Sequence, residues 1–207
     1  MIIRIDDVSA NTDMEELDDL LDAVRDTLHP TKIILAVNPI SQSNDEGSVY
    51  LGVPFKAQPS EFFYNVDAMI NLMEIPVEDD IVVASHGLLH IDHTRYDSKT
   101  QELSIVSSCS LLDTDTFVPP FNRYNYTTEE VCRKHGIKLI RSTDGWKSLD
   151  YHAKVEDSFD PTHKLWYMHP WRWTPDEFRH TINSKVGGFV PSHNGHRTRL
   201  TKTGDLL

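Results

Sequence analysis

Apolar positions along the chain follow two periods in alternation. Ile2, Ile3 and Ile5 form a β-branched run that Asp6 and Asp7 end, which predicts a strand. Met14, Leu17, Leu20, Leu21, Val24 and Leu28 recur at helical spacing, so residues 11–27 read as an amphipathic helix capped by Asn11 or Thr12. Lys32 to Val37 is an almost unbroken apolar run, as expected of a parallel strand covered on both faces. Periodicity is then lost over residues 38–60, which are rich in Asn, Ser, Gly and Pro and read as a long loop. A helix from Ser60 to Glu74, a strand from Asp80 to Ser85 and a helix from Ser98 to Leu112 follow. Next come a short strand at Thr116 to Val118, a helix from Thr127 to His135 closed by Gly136, and a strand from Ile137 to Ile140. The last elements are a strand from Lys164 to Met168, a helix from about Thr174 to Ser184, and a polar tail over residues 185–207. This alternation predicts an α/β fold with a parallel sheet, built as one domain over residues 1–207.

Composition narrows the class. Hydrophobic residues make up 39% and charged residues 25%, the balance of a folded chain. Thirty-two acidic residues against 20 basic ones give a formal charge of −12, which argues against nucleic acid and against anionic membranes as partners. No apolar run reaches the ~20 residues of a membrane span, and the first residues do not resemble a secretory leader. Cys109 and Cys132 have no metal-like spacing and read as two thiols in a reducing cytoplasm. Eleven histidines are many for 207 residues, and their positions become the question.

Parallel α/β folds build sites at the carboxyl ends of strands. Polar residues fall at five such ends: Asp6-Asp7, Ser85-His86 with His90 beyond, the Pro119-Pro120-Phe121-Asn122 stretch, Asp144-Gly145-Trp146, and His169. His86 and His90 are four residues apart, so on a helical turn both imidazoles point the same way and can share an ion. A strand-one aspartate would complete a set of two imidazoles and one carboxylate with positions left for water and substrate. The competing reading is two histidines on a helix surface and an Asp pair opening a turn. Of the two aspartates, one can bind metal while the other works as a base.

At this point the residues resemble a known family, the polysaccharide deacetylases of the NodB-homology type, carbohydrate esterase family 4. The resemblance runs from Ile3 to about Trp173. Arg4-Ile5-Asp6-Asp7 looks like the family's Thr-Phe-Asp-Asp motif, which implies Asp6 as catalytic base and Asp7 as metal ligand. Ser85-His86-Gly87-Leu88-Leu89-His90 looks like His-Ser/Thr-x-x-His, which implies His86 and His90 as ligands, with Gly87 replacing the usual hydroxyl residue. Val118-Pro119-Pro120-Phe121 stands where the family has Arg-x-Pro-Tyr. Phe121 keeps the aromatic wall, its backbone N–H being the implied oxyanion donor, but the arginine that holds the base is Val118 here. Arg123 and Arg141 are the substitutes nearest in sequence. Asp144-Gly145-Trp146 resembles the fourth motif, with Asp144 orienting the catalytic histidine and Trp146 lining the pocket. Leu165-Trp166-Tyr167-Met168-His169 resembles the fifth, with His169 as general acid.

The resemblance implies a distorted (β/α)7 barrel and a metal-dependent hydrolase removing an N-acetyl or related acyl group from an amino sugar or polysaccharide precursor. More loosely, the chain resembles the WbmS-like branch linked to surface-polysaccharide biosynthesis. Two imidazoles and a carboxylate suit Zn2+, while Co2+, Ni2+, Mn2+ and Fe2+ also fit. Pro120, Asn122, Trp171, Trp166 and Tyr167 are further pocket candidates, with one of Trp166 and Tyr167 expected in the core. Trp173 is a pocket or lid candidate, and His93 is read as a supporting or solvent-facing residue. Two alternatives stand beside this reading: a hydrolase of non-sugar amides with the same metal set, and a catalytically weak glycan-binding module on the same fold.

Overall fold

The computed structural model describes residues 1–9, 12–39, 75, 78–150 and 162–186. The expected helix at 60–74 and almost all of the expected 38–60 loop and 185–207 tail fall outside the described residues. Seven strands form one parallel sheet: β1 (Ile2–Ser9), β2 (Lys32–Asn38), β3 (Ile81–Ser85), β4 (Thr116–Phe117), β5 (Lys138–Leu139), β6 (Lys147–Ser148) and β7 (Leu165–Met168). Their order is β5-β4-β3-β2-β1-β7-β6. Strand one therefore lies inside the sheet, flanked by β2 and β7, and the carboxyl ends of all neighbours face one rim. Among the described residues, four α-helices accompany the strands: α1 (Met14–Leu28), α2 (Ser98–Leu111), α3 (Tyr126–Lys134) and α4 (Pro175–Val186).

The period-two pattern of β1 divides its side chains between two environments. Ile3, Ile5 and Val8 join the outer core with Leu17, Leu20, Leu21 and Val24 of α1 and Phe178 and Ile182 of α4. These are fully or almost fully buried, and truncating one such leucine to alanine costs about 2–5 kcal/mol. Arg4 and Asp6 point to the other face. There Ile34 and Ala36 of β2, Ala84 of β3 and Val118 after β4 pack with Trp146, which precedes β6. Trp146 comes from the far end of the strand order from β4, so its packing against this cluster shows that the sheet curls on itself. That curl makes the seven-stranded (β/α) half-barrel, and its inner face carries the polar residues.

Caps explain the helix boundaries. Asp13, not Asn11 or Thr12, caps α1, its carboxylate accepting from the backbone N–H groups of Glu15 and Glu16. Asp97 caps α2. Asn125 and Thr128 form a reciprocal capping box on α3, which Gly136 follows at positive φ. The short β6 has no counterpart in the sequence reading. Two residues cannot show a period, and only pairing with β7 defines them.

Candidate active site

Strand one does not stop at its aspartates. Ile5 pairs with Leu35 and Val8 with Val37, so three steps on β1 oppose two on β2. The extra residue is a β-bulge, and Asp7 sits in it at φ 63°. A regular strand would send Asp6 and Asp7 to opposite faces. The bulge instead lets both reach one cavity of about 340 Å³ at the carboxyl rim, whose walls include Asp6, Asp7, His86, His90, Phe121, Asn122, Tyr167 and His169.

His86 leaves the end of β3, its backbone N–H donating to Val37 O at 2.8 Å. Asn38 Nδ2 donates to the carbonyls of His86 (2.6 Å) and Gly87 (3.1 Å) and pins the turn from the β2 side. Gly87 has φ 84°, and a Cβ there would come within 2.8 Å of the His93 ring. His93 is fully buried under that turn, bonded to Ser104 Oγ, and burial pushes its pKa down to about 3. It supports the turn and does not meet solvent. His90 follows on a bend, not on the helical turn expected from the i, i+4 spacing.

These paths bring three donors together. His86 Nε2 lies 3.2 Å and His90 Nε2 3.0 Å from Asp7 Oδ1. Asp7 Oδ1 is buried and makes no hydrogen bond despite these short distances. A carboxylate oxygen and two ring nitrogens that crowd without bonding to one another suit a common cation between them. Among the described residues, Asp7, His86 and His90 are the set with metal-ligand spacing. His86 Nδ1 lies 2.7 Å from Val118 O, so Nδ1 carries the proton and donates there, leaving the Nε2 lone pair to the site. Burial alone would raise the Asp7 carboxyl, but the His86 and His90 imidazoles outweigh it and hold Asp7 well below the usual carboxylate range. Burial, with His86 and His169 nearby, lowers the His90 imidazole despite the opposing pull of Asp7, favouring the neutral, ligating form.

Asp6 lies beside this set, buried, in a two-pronged ion pair. Arg4 Nε donates to Oδ1 and Nη2 to Oδ2, both at 2.8 Å. Arg4 Nη2 also donates to Asn122 Oδ1 at 2.7 Å. The guanidinium is fully buried, with the rings of Trp146 (4.8 Å) and Tyr167 (5.1 Å) around it. Neither Arg123 nor Arg141 takes the position left by Val118. Arg123 pairs with Asp92, and Arg141 reaches toward Glu129. The arginine on Asp6 comes from the same strand two residues earlier, where the period of two puts both on one face.

His169 ends β7 on the other side. Its Nδ1 lies 2.6 Å from Asp150 Oδ2, and its backbone N–H donates to Asp150 Oδ1 at 2.8 Å. Its Nε2 is 3.6 Å from Asp7 Oδ2. Burial lowers the His169 imidazole, but Asp150, with Asp7 and Asp6, more than reverses this, and the net shift is upward. The carboxylate at His169 Nδ1 is thus that of Asp150 and not of Asp144. Asp144 is exposed and accepts from the Arg141 backbone N–H, closing a single 3-10 turn.

The aromatic candidates separate. Phe121 packs on His90 at 4.4 Å between ring centroids, in a left-handed conformation at φ 57°. Tyr167 and Trp171 line the cavity, and Trp171 lies 5.3 Å from His169. Trp146 does not line the cavity and instead covers Arg4 from the inner cluster. Pro120 is buried at the start of its turn. Trp166 and Trp173 belong to the outer core.

The chain matches no protein-family model, and no curated protein matches it. Its fold is that of the CE4 carbohydrate esterases and polysaccharide deacetylases. Among solved structures it is similar to a family 4 carbohydrate esterase from Streptomyces lividans, at 16% identity and TM-score 0.55, over 89% of this chain and 86% of that one. It is similar to peptidoglycan deacetylase PdaC from Bacillus subtilis at 12% identity and TM-score 0.54, over 89% and 82%. A CE4 family pseudoenzyme from Bacillus anthracis is similar at 14% identity and TM-score 0.56, over 89% and 59%.

Proposed function

We propose that the protein is a metal-dependent hydrolase that removes an N-acetyl or related acyl group from an amino sugar or polysaccharide precursor. The observation that carries this reading is the flanking of one three-donor set by an arginine-held carboxylate and an aspartate-held imidazole in a single cavity. Asp7, His86 and His90 would hold the divalent ion, with zinc the best match to the donors and Co2+, Ni2+, Mn2+ and Fe2+ compatible. When bound, such an ion lowers the pKa of a water toward ~7 and polarises a carbonyl.

The chain's own residues supply the proton transfers. Asp6, held by Arg4 on both oxygens, takes the proton of the attacking water. His169 is oriented by Asp150 at Nδ1 and charged by it, so its Nε2–H is the proton given to the departing amine. The Phe121 backbone N–H is assigned to the developing oxyanion. Tyr167 and Trp171 offer ring faces to the sugar. Non-sugar amides are a second substrate class for the same donors. A glycan-binding role without turnover is favoured by the loss of the motif arginine at Val118 and by the pseudoenzyme relative. The Arg4–Asp6 pair argues against it. Placement in the WbmS-like branch would make the substrate a surface-polysaccharide precursor.

The test is metal analysis of the purified protein together with acetate release from N-acetyl sugars and from cyclic amides. We expect Asp7→Ala and His86→Ala to lose metal, and Asp6→Asn to retain metal without turnover. Full activity in Asp6→Asn would remove the base assignment. Binding of sugars with no acetate released from any of them by the metal-loaded protein would favour the binding module.

A further inference from the structure

The cavity that holds Asp6, Asp7 and Asp150 belongs to a protein of formal charge −12. Asp6 lies against Arg4, Asp150 against His169, and Asp7 between two imidazoles. Two further lining residues are arginines, carried by separate loops. Arg123 follows the turn of Phe121 and Asn122. Its Nη1 donates to Asp92 Oδ2 at 2.9 Å, which uses one of five N–H donors. Asp92 is itself shared, since Arg95 Nε lies 3.3 Å from the same oxygen, so two guanidiniums face one carboxylate. Arg172 lies on the turn after His169, its guanidinium carbon 4.2 Å from the centre of the Trp171 ring. Trp171 is 55% exposed beside His169.

These positions have a shared consequence. A sugar ring resting on Trp171 with its acetamido group at His169 presents its other substituents toward Arg172, and Arg123 lines the same cavity from the β4 side. Guanidinium groups in a pocket mouth recognise oxyacid anions through paired, charge-assisted hydrogen bonds. Accepting the deacetylase reading, we infer that the substrate is an anionic amino sugar, carrying a carboxylate or phosphate beside its acylated nitrogen, and that Arg123 and Arg172 bind this anion. Either oxyacid fits the two forks, and the experiment separates them.

The zinc-loaded protein is assayed for acetate release from N-acetylglucosamine, N-acetylglucosamine 1-phosphate and N-acetylmuramic acid. In parallel, binding of glucosamine, glucosamine 1-phosphate and muramic acid is measured by calorimetry. One anionic sugar is expected to exceed the neutral sugar by at least roughly tenfold in kcat/KM and in affinity, the size of one charge-assisted contact. Which anion leads identifies phosphate or carboxylate. In Arg123→Gln/Arg172→Gln, and more weakly in Arg172→Gln alone, the anionic-to-neutral ratio falls toward one, mainly through KM. Added salt lowers the ratio in the native chain. Equal use of neutral and anionic sugars, or a preference that survives both substitutions, overturns the inference and leaves the deacetylase reading standing. Arginine-dependent binding of an anionic sugar with no acetate released from any sugar overturns the deacetylase reading and supports the anion site.

Discussion

Replacing Arg4 by methionine tests the arrangement most directly. The substitution removes two 2.8 Å bonds to Asp6 and one 2.7 Å bond to Asn122 while keeping an unbranched apolar stem between Trp146 and Tyr167. Arg4 is fully buried and the Asp6 side chain is 4% exposed, so the carboxylate left behind has little water to replace its partner. Removing one member of a buried ion pair costs about 3–5 kcal/mol. In a chain of this size each kcal/mol lowers Tm by roughly 2–4 °C, so Arg4→Met should lower Tm by about 6–20 °C. The second half of the cycle is Arg4→Met/Asp6→Leu. With both charges gone, the desolvation penalty disappears and most of the lost stability should return. Turnover should be absent in both variants. Arg4→Lys keeps the charge but not the fork, and should fall between the native chain and Arg4→Met in stability and activity. Thermal and urea unfolding followed by circular dichroism give these values. A Tm change under about 2 °C in Arg4→Met, or a double variant no more stable than the single one, would show that the pair does not hold the inner face together.

Three further outcomes follow from the geometry. Asp150→Asn keeps the size of the side chain but removes the charge that raises His169, so turnover should fall by roughly 10²-fold or more with little change in bound metal. Unchanged turnover would return the orienting role to another residue. His93 is neutral when folded, with a pKa near 3 against an ordinary 6.5. The unfolded chain therefore takes up this proton first as pH falls, and stability should drop between pH 7 and pH 3. By pH 5 this amounts to about 2 kcal/mol relative to pH 8. Urea unfolding of the native chain and of His93→Phe at the two pH values isolates the share that disappears with the imidazole. Gly87→Ala places a Cβ 2.8 Å from the His93 ring at an unfavourable φ, and should cost about 1–3 kcal/mol and weaken metal retention by displacing His86. A stable, fully metal-loaded Gly87→Ala protein would contradict the packing described.

Local chemistry carries some of this structure directly. The repeat of Leu17, Leu20, Leu21, Val24 and Leu28 specifies a one-sided helix in any context that offers a core, and the apolar run from Lys32 to Val37 specifies a covered strand. The resemblance implied Asp7 as a ligand, and short-range spacing marked His86 and His90 as ligand types. That spacing gave the wrong local form, however, because His90 reaches the site through a bend after Gly87 rather than along a helix. Arg4 had a readable signal: a charge in an otherwise β-branched strand, two positions from Asp6 and so on the same face. Asp150 had none of comparable strength, since it follows a two-residue strand and meets His169 across 19 positions.

The identities of the chemical groups, the strand and helix periods and the net charge are properties of the chain order alone, because they depend on neighbours within a few residues. Which carboxylate meets which imidazole depends on strand order, on the register slip between Ile5 and Val8, and on the curl that brings Trp146 against the inner cluster. Those are long-range pairings, settled by burying the whole inner face at once. That is why Asp6 meets Arg4 of its own strand and not an arginine near Val118, and why His169 meets Asp150 and not Asp144.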